Sequence, residues 1–262
     1  MIRLALGLEY DGTEWNGWQT QPNGQTVQDQ LESALHRFTT VAHATTCAGR
    51  TDAGVHAAGQ VVHLDTTIDR PEWNWVRGVN ALLPQSIAVT WARCVSPEFH
   101  ARFSARWREY RYSIYVSPTR SPLKDRFATW CFQPLDLAQM QRAAALVPGT
   151  HDFSAFRSAE CQAQSPVRTI SNFDVSQHQE TITFRIRGNA FLHHMVRNLV
   201  GSVVEVGRGA QPVEWMAHVL AQRDRGLAAR TFPAQGLCLT RVEYDSGLLP
   251  VSPCEPESKS AA

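Results

Sequence analysis

Hydrophobic positions along this chain switch between two periods. Ile2, Leu4, Leu6, Leu8 and Tyr10 alternate with Arg3, Ala5, Gly7 and Glu9, which predicts a half-buried strand. Asp11-Gly12-Thr13 ends it, and a loop rich in Gly, Asn and Gln follows from Trp15 to Gly24. Thr26 has the character of an N-cap with Asp29 three residues on, and Val27, Leu31, Ala34, Leu35 and Phe38 share one helical face. Gln60 to Asp65 returns to the strand period. Pro71 opens a helix with Trp75, Val76, Val79 and Leu83 inward, and Ile87, Val89 and Trp91 resume a strand.

The rest of the chain repeats the mixture. Tyr110, Tyr112, Ile114 and Val116 lie on one strand face, and a helix capped by Asp136 runs to about Val147. Strand patterns cover Val167 to Val175 and Thr181 to Arg187. Phe191, Met195, Leu199, Val203 and Val206 make a long helical stripe, Pro212 starts another helix, and Leu237 to Tyr244 is a last strand. Hairpins such as 167–187 predict an α/β fold of the α+β kind, with a mixed, largely antiparallel sheet flanked by helices. Content is comparable on either side of residue 105, which divides the chain into halves 1–105 and 106–246. Residues 247–262, rich in Pro, Ser and Glu, read as a disordered tail.

Composition narrows the classes. With 262 residues, 43% hydrophobic and 19% charged, the chain can bury a sizeable core. No apolar run approaches the roughly 18 residues that span a bilayer. Met1-Ile2-Arg3-Leu4 leads straight into a strand without a signal-peptide layout, so the expected compartment is the cytoplasm. Cysteines 47, 94, 131, 161, 238 and 254 are scattered with no Cys-x-x-Cys pair, which argues for reduced thiols and against a structural zinc.

Net charge is only +1, but 23 of the 25 basic residues are arginine, the side chain suited to bidentate phosphate contacts and base stacking. Between Arg102 and Arg126 seven basic residues and two acids interleave with Phe103, Trp107, Tyr110, Tyr112 and Tyr115. That mixture suits a surface for single-stranded or distorted nucleic acid. It also suits a solvated strand face, and arginine excess also follows from a GC-rich genome.

The densest chemistry lies in Cys47-Ala48-Gly49-Arg50-Thr51-Asp52-Ala53-Gly54-Val55-His56. A single carboxylate, Asp52, sits between glycines that allow close approach and unusual backbone angles. The stretch reads either as a ligand loop built around one acid or as a tight turn capped by Asp. His193 and His194 are adjacent, so on a helix they point about 100° apart and pair poorly on a metal. His56 and His63 lack a ligand spacing, and the expectation is no metal.

Seven blocks in order resemble the tRNA pseudouridine synthase A family. They are Asp11-Gly12-Thr13-x-Trp15-x-Gly17-Trp18-Gln19-x-Gln21; Gly49 to His56 followed by Gly59-Gln60-Val61-Val62; Tyr110-Arg111-Tyr112; His151-Asp152-Phe153-Ser154-Ala155-Phe156-Arg157; Ser165-Pro166-Val167-Arg168-Thr169-Ile170; Phe191-Leu192-His193-His194-Met195-Val196-Arg197-Asn198; and Gly236-Leu237-x-Leu239. The resemblance runs from Ile2 to Tyr244. It implies two pseudo-symmetric halves around an antiparallel sheet. It also implies cofactor-free isomerisation of uridine to pseudouridine at positions 38, 39 and 40 of the tRNA anticodon stem-loop. The partners it implies are tRNA and a second copy of the chain, in a homodimer whose tRNA contacts span both subunits.

Residue by residue, the resemblance makes Asp52 the catalytic carboxylate, Arg197 its charge partner, Tyr110 the aromatic wall for a flipped uracil and Leu237 an apolar closure. The Tyr110 hydroxyl is a candidate for the proton removal that completes the product. Arg50, two residues before Asp52, is expected to act as a wedge or phosphate contact while the base leaves its stack, which costs a few kcal/mol. The chemistry agrees, because an ionised carboxylate can attack ring or sugar and a guanidinium keeps it charged in a pocket. His193 stands where the family usually has tyrosine, Trp15 where Phe or Tyr is usual, and Phe232 where a small residue is usual. Two other classes compete: a catalytically silent tRNA-binding module, and a glycoside hydrolase. The latter needs a second carboxylate, for which Asp11 and Asp65 are the nearest candidates.

Overall fold

The computed structural model describes residues 1–248. Its spine is a ten-stranded mixed sheet. The strands are β1 (Ile2–Tyr10), β2 (Thr46–Cys47), β3 (His56–Thr66), β4 (Ile87–Val95), β5 (Ala105–Val116), β6 (Thr129–Cys131), β7 (Gly149–Asp152), β8 (Val167–His178), β9 (Thr181–Gly188) and β10 (Leu237–Tyr244). The helices are α1 (Val27–Thr39), α2 (Glu72–Asn80), α3 (Leu137–Ala144), α4 (Met195–Gly207) and α5 (Trp215–Gln222). The sheet order is β4-β1-β3-β10-β5-β9-β8-β7, with β2 beside β3 and β6 beside β5. Only β3–β10 and β5–β6 pair in parallel; every other pairing is antiparallel.

Local signals in the sequence translate directly. Thr26 caps α1 by accepting from the Asp29 amide, and Asp136 caps α3 by accepting from the Gln139 amide, each satisfying an orphan N–H of a first turn. Two expectations shift. First, β1 is buried on both sides from Leu4 to Leu8. Leu4, Leu6 and Leu8 join the main core with Leu31 and Leu35 of α1, while Ala5 joins Val61, Phe99 and Ala101 in a smaller core. Alternation puts these sets on opposite faces of the sheet. Second, the stripe beginning at Phe191 is helical only from Met195; His194 is the N-cap, with φ 63°. The expected tail lies outside the described residues, apart from its first two positions.

The first part of the chain supplies β4, β1 and β3, and the second supplies β5, β9, β8 and β7. The last strand, β10, inserts between them. The β3–β10 junction is short: Cys238 faces His56 and Leu239 faces Ala57. Beside it Gly59 meets the backbone of β10, where a Cβ would sit 2.3 Å from the Thr240 carbonyl oxygen. Gly59→Ala must therefore push two strands apart, at a cost of about 1–3 kcal/mol. We expect a lowered melting temperature by calorimetry, and a wild-type melt would show that the junction yields without cost.

Candidate active site

The loop between β2 and β3 carries Asp52 over the middle of the sheet, and a second loop holds it from outside. Trp18 donates its amide to the Thr51 carbonyl at 3.0 Å, and the Gly54 amide donates to the Trp15 carbonyl at 3.2 Å. The Tyr10 hydroxyl lies 2.8 Å from the Thr51 hydroxyl. Two glycines of the outer loop make this possible. A Cβ at Gly12 would fall 2.0 Å from the Val55 carbonyl oxygen, and one at Gly17 2.6 Å from that of Thr51. Gly17 also has φ +84°, and Gly54 in the Asp52 loop has φ +76°, the region glycine enters without penalty. The Asp11-to-Gln21 motif therefore serves as a clamp on the carboxylate loop.

His56 closes the clamp. Its Nδ1 accepts from the Gly12 amide at 3.0 Å, and its Nε2 lies 3.0 and 3.1 Å from the carbonyls of Arg126 and Gln235. With Nδ1 accepting, Nε2 carries the proton and donates. His56 thus fastens three loops, a role that spacing could not reveal because its partners lie up to 179 residues away.

The acid itself meets three side chains from the turn that opens α4. Asp52 Oδ2 accepts from Arg197 Nη1 at 3.0 Å and lies 3.5 Å from His194 Nε2, while Oδ1 lies 3.2 Å from His193 Nε2. Arg197 is held in turn, since its Nε donates to the Phe232 carbonyl at 2.7 Å. One residue on, the fully buried Asn198 donates to the Phe156 carbonyl and accepts from Arg225 and Thr231. This network ties the 225–232 segment to α4. The Asp52–Arg197 pairing expected from the sequence is thus present as a contact.

The histidines reverse an expectation. The 100° divergence holds only for a helix through His193 and His194, whereas the helix begins after them. The left-handed backbone at His194 brings both rings to the same side, with centroids 4.0 Å apart. Both then face Asp52, and together the three residues offer ligand atoms within 4.8 Å of one another. Burial pushes the His194 pKa below its ordinary value, against the opposing pull of Asp52.

Tyr110 is buried beneath Asp52's loop, edge-on to Phe191 at 5.0 Å. Burial pushes its phenol pKa up, and the Asp52 charge adds to the shift. The buried ring stands as a wall beside the carboxylate loop. Leu237 is buried at the start of β10, opposite Tyr112 of β5, and its amide donates to Ala234, which packs against Gly54. Arg50 is exposed and has no hydrogen bond or ion pair among the described residues.

The basic and aromatic stretch divides by strand alternation. Arg102, Phe103, Arg106 and Arg111 are exposed, whereas Tyr112 is core, its hydroxyl donating to the Pro233 carbonyl. Arg108 is buried and donates to the carbonyls of Ala48, Arg102, Ala105 and Asn189, so it is a scaffold for the Asp52 loop and has no surface to offer a ligand. The two alternative acids are likewise taken. Asp65 pairs with Arg3, and Asp11 pairs with Arg126 and lies against His56.

The chain also matches known proteins. A family model described as tRNA pseudouridine synthase matches residues 8–104 and 143–245. The chain is 58% identical over 246 residues to tRNA pseudouridine synthase A of Bordetella petrii, covering 93% of this chain and 92% of that one. It is 55% identical to the protein of that name from Herminiimonas arsenicoxydans, covering 93% and 90%. With that of Ralstonia nicotianae the identity is 54%, covering 97% and 94%.

The scaffold under the carboxylate loop is open to a direct check. Arg108→Met leaves buried carbonyls without donors, a loss of roughly 2–4 kcal/mol. Denaturant unfolding should register it as a lower midpoint with an unchanged slope; an unchanged midpoint would mean that water replaces the guanidinium freely.

Proposed function

The chain belongs to the tRNA pseudouridine synthase family and isomerises uridine to pseudouridine in tRNA; from that premise we propose that it acts at positions 38, 39 and 40 of the anticodon stem-loop, with Asp52 as the nucleophile. The observation that carries the role of Asp52 is its half-buried carboxylate, held 3.0 Å from Arg197 and close to the buried Tyr110. A charge-assisted hydrogen bond from Arg197 aims the carboxylate.

The reaction breaks the bond between ribose C1′ and uracil N1, turns the base, and joins C1′ to C5. The C5 proton leaves and N1 gains one. Atoms and electrons balance within the nucleoside, so the net reaction needs no oxidant, reductant or co-substrate. Whether Asp52 adds to the ring, attacks the sugar or promotes elimination, each route starts from its carboxylate. Tyr110 supplies the aromatic face for the extruded base and Leu237 closes the pocket beneath it. Arg50 reaches solvent beside Asp52, where a guanidinium can take a backbone phosphate as the base leaves its stack.

Two halves share this work. Residues 1–105 bring the Asp52 loop, and 106–246 bring Tyr110, Arg197 and Leu237 to complete the cleft. The working form is a cytoplasmic homodimer whose two subunits both touch one tRNA. No helix among the described residues is long and apolar enough to cross a membrane.

Incubation with unmodified tRNA transcript and EDTA should yield pseudouridine at 38–40 by chemical mapping. Product elsewhere in the tRNA would overturn the site assignment. Asp52→Asn should abolish product while tRNA affinity stays within a few-fold; turnover near the wild-type rate would remove Asp52 from its role. Arg197→Met removes the charge-assisted hydrogen bond that aims the carboxylate. Activity should fall by at least about a hundredfold, the scale of losing one electrostatic partner in an active site. Near-wild-type activity would count against the pairing.

A further inference from the structure

Adjacent histidines rarely aim at one point. Here the left-handed turn at His194 makes them do so, and the turn is pinned on each side. The Met195 amide donates to the Leu192 carbonyl at 3.0 Å, the Ser158 amide to His193 at 2.9 Å, and the Asn198 amide to His194 at 2.9 Å. The buried side chains of Leu192 and Met195 anchor it below. The two imidazoles and the Asp52 carboxylate therefore converge, with ligand atoms within 4.8 Å of one another.

Their spacing has a chemical meaning. A tetrahedral zinc site with bonds of about 2.0–2.1 Å separates its ligands by about 3.3 Å. His193 Nε2 lies 3.2 Å from Asp52 Oδ1, His194 Nε2 lies 3.5 Å from Oδ2, and all the ligand atoms fall within 4.8 Å. Two imidazoles and one carboxylate suit Zn2+ and its neighbours, whereas Mg2+ and Ca2+ prefer oxygen ligands throughout. All three side chains are partly open to solvent, which provides an entry path.

We infer that Asp52, His193 and His194 form a reversible binding site for a transition-metal dication of the Zn2+ class, and that its occupancy switches the isomerase off by taking the catalytic carboxylate. The switching rests on the reading of Asp52 as the nucleophile; the binding does not. Arg197 already donates to Oδ2, so a bound metal shares the carboxylate with a guanidinium. Its positive charge lowers the affinity for a second cation, so the site fits a reversible inhibitor better than a resident structural ion. The substrate nucleotide approaches the same carboxylate, so metal and tRNA exclude each other.

The test uses the full chain stripped with EDTA and titrated with ZnCl2 by calorimetry, with Co2+ absorption as a second probe. One saturable equivalent is expected. An outer-shell partner is worth about 10–100-fold in metal affinity, so His193→Gln and His194→Gln should each weaken binding at least about tenfold. Cys94→Ser, which removes an exposed thiol, should bind as wild type. Zn2+ should inhibit competitively with tRNA, EDTA should restore turnover, and each Gln variant, measured against its own metal-free rate, should need correspondingly more Zn2+. Binding that the His substitutions leave intact overturns the site. Binding that they abolish, without any inhibition of the wild type, overturns the switch and counts against Asp52 as the nucleophile. Absence of pseudouridine even in EDTA overturns the isomerase reading alone, because calorimetry still reports on the metal.

Discussion

The contact between Asp52 and Arg197 joins residues 145 positions apart, and much of the surrounding structure exists to hold it. A carboxylate taken partly out of water loses hydration that must be replaced by charge or hydrogen bonds. The His193 and His194 imidazoles supply part of the replacement, and the rest is the Arg197 guanidinium, which works only while it is aimed. Phe232 accepts from its Nε, and buried Asn198 fastens the next turn of α4 to Phe156, Arg225 and Thr231. Removing one partner of such a pair leaves the other charged, desolvated and unsatisfied. That makes the pair a constraint on both parts of the chain at once.

The other side of the pair is held by backbone. The Asp52 loop has little regular structure of its own, and its shape comes from neighbours. Gly12 and Gly17 let a second loop press against it, His56 ties both to the 235 region, and buried Arg108 gathers the carbonyls beneath. None of these residues touches the carboxylate. They convert a flexible glycine-bounded segment into a rigid mount for Asp52, as its proposed role of attacking group requires.

Much of the architecture was legible in the chain. The Thr26 and Asp136 caps, the alternation of β1 and β5 and the hairpin of β8 with β9 are local signals, decided by residues within one or two turns of each other. The motif resemblance placed Asp52, Arg197, Tyr110 and Leu237 in one site, and the fold brings the first two into contact. What escaped was non-local. The burial of both faces of β1 depends on the Phe99 segment, the role of His56 depends on partners in three loops, and Arg108 looked like part of a nucleic-acid surface until strand alternation turned it inward. His193 and His194 were misread because apolar periodicity carried the helix back to Phe191, while the backbone breaks it at His194.

The sequence by itself determined which elements form, which carboxylate is proposed to carry the chemistry and which family the chain resembles, because periodicity, caps and ordered motifs are written locally. Only the tertiary structure decided that Tyr110's phenol is buried, that Arg108 is scaffold, and that two imidazoles close on Asp52 beside Arg197. Those outcomes depend on burial and on distances between residues far apart in the chain. Such quantities arise only when the sheet brings β3, β10 and β5 side by side.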